Sequence, residues 1–275
     1  MPTMKSHQSR LANFFLFMII CWVLLPNSFA VAAEEFDTHS VYTLVGEKLS
    51  YDISFLWFDH LAEGSIELQN GPKPGTFLVV MQARTLGVAA FFTGNRVEKY
   101  QTLLFVGDDG LLHPLWHSSH TLRDRAKGRS EKLTRYDFDY AAGQVHYKKS
   151  KNGNDYSQKS YEMDREKPLY DILSALYNLR LGLYGPVGEK TILIPTFHRK
   201  GTQDIVVEPL NRAKGADDDF FTGVPVQVRI LVDPEVFGTK GREILAGFDA
   251  DSKPVRGIIK DVIGLGDVRG IYLNK

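Results

Sequence analysis

The sequence predicts a mainly β protein: a large antiparallel sheet, curled or closed into a barrel, with one main amphipathic helix packed on it or plugging it. Three observations carry that prediction. Apolar and polar residues alternate with period two from about Leu49 to the C-terminus, which is the signature of half-buried strands. Turn signals such as "GPKPG" at Gly71 to Gly75 and Asn152-Gly153 cut the alternation into short lengths. After the N-terminal leader, one stretch stands out with a helical period, Lys167 to Pro186.

The leader comes first. Lys5 and Arg10 form a basic start, "FFLFMIICWVLL" an apolar run, and "FAVAA" a small-residue cleavage site, the three parts of a secretory signal peptide. The apolar run is shorter than the roughly 20 residues of a spanning helix, which favours cleavage over an uncleaved anchor. Ile20 directly ahead of Cys21 is too bulky for a lipoprotein signal. The expected organisation is therefore a signal peptide over residues 1–33 and a single exported β domain over 34–275. Cleavage removes Cys21, the only cysteine, and with it any disulfide, thiol nucleophile or thiolate metal site. The remainder holds two more acids than bases, a balance that argues against nucleic acid as a partner.

Glu34 to Val45 reads as a short tether into the first strand. In "LSYDISFLWF", Leu49, Tyr51, Ile53, Phe55 and Trp57 share a face, while in "LAEGSIELQ" the apolar set falls on Ala62, Ile66 and Leu68, so the short "DH" between them suggests a hairpin. Phe77, Val79 and Met81 face one way after the Gly-Pro turn. "TLGVAAFFTGN" interrupts the alternation as a short helical or irregular crossover that presents Phe91 and Phe92. Strands resume at Arg96 to Val106, Leu111 to Leu122, Ser130 to Tyr140 and Gln144 to Lys149, and "KKSKNGNDYSQKS" reads as a polar loop or β tip.

The helix follows. Leu169, Ile172, Leu173, Leu176, Leu179 and Leu183 fall on one face at about 100° per residue, with Asp171, Ser174 and Asn178 opposite. Pro168 suits a first turn, Asp171 suits the positive end of the dipole, and Gly182 or Gly185-Pro186 suits a stop. Further strands are expected at Lys190 to Phe197, Gln203 to Glu208, Pro225 to Val232, Arg242 to Phe248, Pro254 to Val262 and Asp267 to Tyr272, with "NRAKGADDD" as a solvated loop. About a dozen strands in one sheet are stable when the sheet closes or curls on itself, which removes exposed edges.

The order "GEKLSYDI", a strand ending in "GLLHP", then "FDYAAG", then "DILSALYNLR" resembles an exported bacterial family known only as a domain of unknown function. The resemblance spans most of the chain after the leader. It departs at "DHLAEGS" and near Ala246 to Asp251, where a family-like tryptophan is absent and Phe248 stands nearby. It implies no catalytic residue. A curled sheet with a packed helix is also similar, in architecture alone, to periplasmic lipoprotein carriers.

Several candidate chemistries are weaker than their bland alternatives. His113, His117 and His120 would gather on one side of a helix, but on a strand His113 and His117 lie roughly 13 Å apart at ~3.3 Å per residue and His120 points away. Asp217 to Asp219 lack the alternating ligands of a calcium loop. "GLGDVRG" leads into a strand and fails as a phosphate loop, and no nucleophile elbow or zinc-protease motif is present. The expectation is no catalytic residue, no metal and no cofactor.

The aromatic residues either fill the core of the β domain or line an apolar cavity left by a sheet too wide to fill. On the second reading Trp57, Phe91, Phe92, Leu173, Leu176 and Arg180 are the candidate ligand-binding residues. Arg180 lies in the middle of the leucine face, where an unpaired guanidinium is prohibitively costly. It must reach water, pair with a carboxylate, or meet an anionic ligand. The expected function is a non-enzymatic periplasmic protein that binds an apolar or lipid-like molecule in envelope maintenance. The alternative is a structural or interaction module with a fully packed core, meeting another envelope protein through loops such as Lys148 to Lys159.

Overall fold

A computed structural model describes residues 39–55, 58–125, 128–163, 168–198, 201–210 and 219–274. The expected signal peptide and Trp57 lie outside the described residues, as does most of "NRAKGADDD". Fourteen strands form one sheet: β1 Lys48–Phe55, β2 Phe58–Asn70, β3 Thr76–Thr85, β4 Val97–Val106, β5 Leu112–Arg125, β6 Gly128–Asp139, β7 Gln144–Lys151, β8 Asn154–Glu162, β9 Ile192–His198, β10 Gly201–Pro209, β11 Val226–Leu231, β12 Glu243–Phe248, β13 Pro254–Val262 and β14 Gly266–Leu273. The helices are α1 His39–Tyr42, α2 Gly87–Thr93, α3 Ile172–Arg180 and α4 Pro234–Phe237.

The strands are antiparallel and run β8 through β1, then β14 through β9, so β8 and β9 are the two ends of an open sheet. The sheet is mainly β and curled, but not closed. Its ends nevertheless meet: Phe197 on β9 packs its ring against Tyr136 of β6 and Tyr161 of β8, with centroids 5.6 and 5.4 Å apart. The free edge of β9 is partly covered by the chain entering α3. Tyr170 N–H donates to Pro195 O at 3.0 Å, and Phe197 N–H donates to Tyr170 O at 3.2 Å. The free edge of β8 is blunted instead by the exposed polar sequence "NDYSQKSYE", a common protection against edge-to-edge pairing.

Two of the expected boundaries move. "KKSKNGNDYSQKS" is the β7–β8 hairpin, turning at Asn152-Gly153 with positive φ of 52° and 79°, which raises the strand count above a dozen. Asp59 and His60 belong to β2 rather than to the turn before it. The tether ends in α1, and Val41 is buried beside Leu49, Leu68 and Phe77, so this segment is part of the core.

Helix α3 begins later than expected, at Ile172, and its start is fixed by a capping box. The Asp171 carboxylate accepts from Leu173 N–H, and Ser174 Oγ accepts from Asp171 N–H. Leu173 and Tyr177 pack with the strands β1–β5, while Ala175 and Leu179 pack with β9–β12. The helix is therefore inside the curl, as a plug, and has sheet on both sides.

That position changes the meaning of its polar residues. Asp171, Ser174 and Asn178 lie opposite the leucine face, and all three are buried. Each is matched to a backbone or side-chain partner, which is the condition for burying a polar group. Asn178 accepts from Leu112 N–H at 2.8 Å and donates to Leu112 O at 3.0 Å, so one side chain replaces a missing strand neighbour at the start of β5.

Because the sheet is a meander, its connections fall on two rims. The rim with the β1–β2, β5–β6, β7–β8, β9–β10 and β13–β14 connections also carries α2 and α4; the other carries the β2–β3, β4–β5, β6–β7 and β12–β13 turns. Helix α3 runs from mid-sheet, beside His117, towards the second rim, where it meets Leu112 and Glu47. The first half of the interior is left to a cleft.

Candidate functional site

The cleft measures ≈ 230 Å³ and is partly open to solvent. One wall is the inner face of β4–β7 with Tyr100, Thr134, Tyr136 and Tyr147; the other is Phe197, Ile205, Val232 and the start of α4; the N-terminus of α3 is the floor. The wall is held by ring contacts, Tyr136 lying 5.1 Å from Tyr147 and 6.2 Å from the His117 imidazole between centroids. Alternation on β4, β6 and β7 places these rings inward for the same reason that it makes the strands.

The floor is polar. Asp171 Oδ1 accepts from Thr102 Oγ1 at 2.7 Å and from Leu173 N–H at 2.9 Å, and lies 3.0 Å from His117 Nδ1. Thr102 Oγ1 is also 2.8 Å from His117 Nδ1. Since the threonine proton goes to the carboxylate, Nδ1 must carry a proton to face both oxygens. That leaves Nε2, which has no hydrogen bond among the described residues, as the ring nitrogen available to a bound molecule on the cleft side.

Asp171 is buried, which alone would push its pKa up, but the adjacent imidazole, the Thr102 hydroxyl and the Leu173 amide hold it below the usual carboxylate range. Its Oδ2 is buried without a hydrogen bond. Burial holds the Tyr100 phenol far above its ordinary value, so it stays protonated. Thr102 is fully buried and donates to Asp171, so its hydroxyl is not offered to a bound molecule.

The three histidines do lie on a strand, β5, but a β-bulge intervenes. Leu103 pairs with Trp116 and Leu104 with Pro114, leaving Leu115 as an extra residue. The one-residue insertion shifts the alternation there, yet both imidazoles meet the entry to the plug helix, His113 stacked on Tyr170 at 5.3 Å between centroids and His117 against Asp171. Each histidine has its own carboxylate: His113 Nε2 lies 2.8 Å from Asp109, His117 faces Asp171, and His120 Nε2 lies 2.6 Å from Glu131. No group of three metal-ligating side chains occurs among the described residues.

None of the five described ligand candidates lines the cleft. Leu173 and Leu176 belong to the core packed against β1–β5. Phe91 and Phe92 are 82% and 76% exposed on α2. Arg180 Nη2 lies 2.6 Å from Glu47 Oε2, at the far end of the helix from the cleft. The carboxylate partner is the arrangement that a buried guanidinium requires. The residues that form the cleft instead were visible in the sequence only as alternating aromatics and as a lone His117; nothing local links that histidine to Asp171.

Among curated proteins none matches the chain. A solved β-barrel-like protein from Brucella abortus, described as a domain of unknown function, DUF1849, is similar at 13% identity, covering 84% of this chain and 96% of its own, with a TM-score of 0.46. The family described as "Protein of unknown function (DUF3108)" matches residues 50–255. That match takes in the strands from β1 into β13 together with the plug helix and the cleft, and the chain belongs to this family.

Proposed function

We propose that the protein is an exported, non-enzymatic binding protein of the periplasm that holds the apolar part of a lipid-like molecule in envelope maintenance. The observation that supports this reading is the cleft itself, with aromatic walls and, at its floor, the His117 Nε2 nitrogen without a hydrogen bond among the described residues. At ≈ 230 Å³ it is smaller than the roughly 300–1,000 Å³ of small-molecule sites. It suits a ring or a length of acyl chain whose remainder stays outside, with a donor such as a hydroxyl reaching His117. A non-enzymatic role fits a floor whose hydroxyl, Thr102, is committed to Asp171 and a wall whose Tyr100 phenol stays protonated.

The test is native mass spectrometry of the protein taken from its own envelope fraction, followed by titration with a fluorescent fatty-acyl probe. A bound lipid-like mass is expected, with probe uptake reduced by Tyr136→Ser. Protein that is consistently empty and takes up no probe refutes the reading.

A second reading, an interaction module of the envelope, is favoured by β8, an end strand with most of its residues exposed. Photo-crosslinking from position Gln158 in cells distinguishes it by capturing one defined envelope protein.

A further inference from the structure

Among the described residues seven large apolar side chains are more than half exposed, and six of them stand at the rim where the cleft opens: Phe58 at 61%, Val88 at 68%, Phe91 at 82%, Phe92 at 76%, Tyr156 at 56% and Ile263 at 64%. Leu193 alone is at the other rim. Single exposed apolar residues are ordinary, but their concentration on one rim marks an interaction surface. Helix α2, "GVAAFFT", has no charged residue, and the Phe91 and Phe92 rings touch edge to face at 5.5 Å with nothing above them.

The form of this surface selects its partner. The six side chains stand on four separate elements, at the start of β2, on α2, near the start of β8 and in the β13–β14 turn, so they make neither a groove for a helix nor a flat face. A deformable apolar layer accepts such side chains, and aromatic rings are favoured where it meets water. Lys149 sits 5.8 Å over the Tyr156 ring, a cation beside an interfacial aromatic.

Charge points the same way. The opposite rim exposes Asp108, Asp109, Glu162, Glu189, Asp219 and Asp251 against Lys48, Lys73 and Lys190. The cleft rim is mixed: Arg129, Lys132, Lys151 and Lys240 are exposed and in no ion pair among the described residues, alongside the exposed acids Asp59, Asp124, Glu235 and Asp261 and the Lys148–Asp155 pair. An anionic surface therefore repels the far rim and orients the molecule with its cleft facing down. We propose that this rim docks onto an anionic lipid bilayer, Phe91 and Phe92 entering the headgroup layer, with the mouth of the cleft held against the membrane. The inference rests on the rim's side chains and stands whether or not the cleft holds a lipid.

The test uses the protein as the cell processes it from the full chain, sedimented with vesicles of phosphatidylethanolamine and phosphatidylglycerol. Binding is expected, weaker on phosphatidylcholine alone. The double variant Phe91→Ser/Phe92→Ser is expected to partition at least about tenfold less, a 1.4 kcal/mol change that is small beside the burial of two rings. Its urea midpoint and its uptake of soluble acyl probe should be unchanged, because both rings are exposed and outside the cleft. Leu193→Ser should bind vesicles like the parent.

Failure of the parent to bind vesicles, or equal binding by the double variant, overturns the proposal. A concentration-dependent dimer abolished by the double variant, without vesicle binding, overturns it in favour of a second copy as the occupant. Vesicle binding by a protein that takes up no acyl probe supports docking and refutes only the reading of the cleft.

Discussion

Replacing Glu47 by Ala is expected to destabilise the fold more than replacing Arg180 by Met, although the two residues form one ion pair. The Arg180 side chain is 2% exposed and that of Glu47 22%. Their 2.6 Å contact is an ion pair without an aligned hydrogen bond, and Arg180 Nε and Nη1 are buried with no hydrogen bond at all. The guanidinium also lies 5.4 Å from the Tyr177 ring. Removing Glu47 strands this cation in the core, at a cost of roughly 3–5 kcal/mol. Removing Arg180 leaves a carboxylate that still has Lys253 at 3.7 Å and access to water, and Met keeps the apolar stem packed, so the cost is roughly 1–3 kcal/mol.

Glu47→Ala/Arg180→Met should then be about as stable as Arg180→Met alone, because no stranded charge remains. The implied coupling equals the Glu47→Ala cost itself, roughly 3–5 kcal/mol. Urea unfolding followed by circular dichroism measures all four proteins, with equal m-values as the check that only stability has changed. A Glu47→Ala variant within about 0.5 kcal/mol of the parent, or a double variant that loses the sum of the single costs, refutes the reasoning. Arg180→Gln and Arg180→Lys should leave ligand retention per folded molecule unchanged.

Three further outcomes follow from the floor, the plug and the sheet. Asn can still cap a helix, so Asp171→Asn isolates the carboxylate's charge. Since the folded pKa is depressed, the stabilisation is complete above the unfolded value of about 4 and is lost as pH falls through the lower folded value. The deficit of the variant in urea midpoint should be constant near neutrality and vanish in acid; a deficit that grows on acidification contradicts the assigned direction. Asn178→Leu leaves both Leu112 backbone groups buried and unpaired, which should cost about 2–5 kcal/mol and speed exchange of the Leu112 amide. Gly247→Ala places a Cβ 2.7 Å from Val224 Cγ1 and 3.0 Å from Phe221, an overpacking worth about 1–3 kcal/mol that thermal unfolding would register.

The alternation in "LSYDIS" and "SIELQ" was sufficient to place β1 and β2, and Asp171 followed by Ser174 carries the N-terminus of α3 in its own side chains. These signals are legible because strand pleat, helix turn and cap are made by residues a few positions apart. The sequence by itself also determined that Arg180 must reach water, a carboxylate or an anion, since no burial of a lone guanidinium is tolerable. It did not identify Glu47.

The tertiary structure decided which faces are wet. A leucine stripe opposite Asp171, Ser174 and Asn178 describes a helix with water on one side, and inside a curled sheet there is no such side. Thr102 and Asp171 are 69 positions apart, and Asn178 and Leu112 are 66, so the cleft floor and the helix anchor exist only once β4, β5 and α3 are assembled. The gathering of Phe58, Phe91, Phe92 and Ile263 on the cleft's rim is likewise a consequence of strand order. Periodicity is a property of neighbours, whereas a cleft, a rim and a buried pair are made by segments that meet only because the sheet curls.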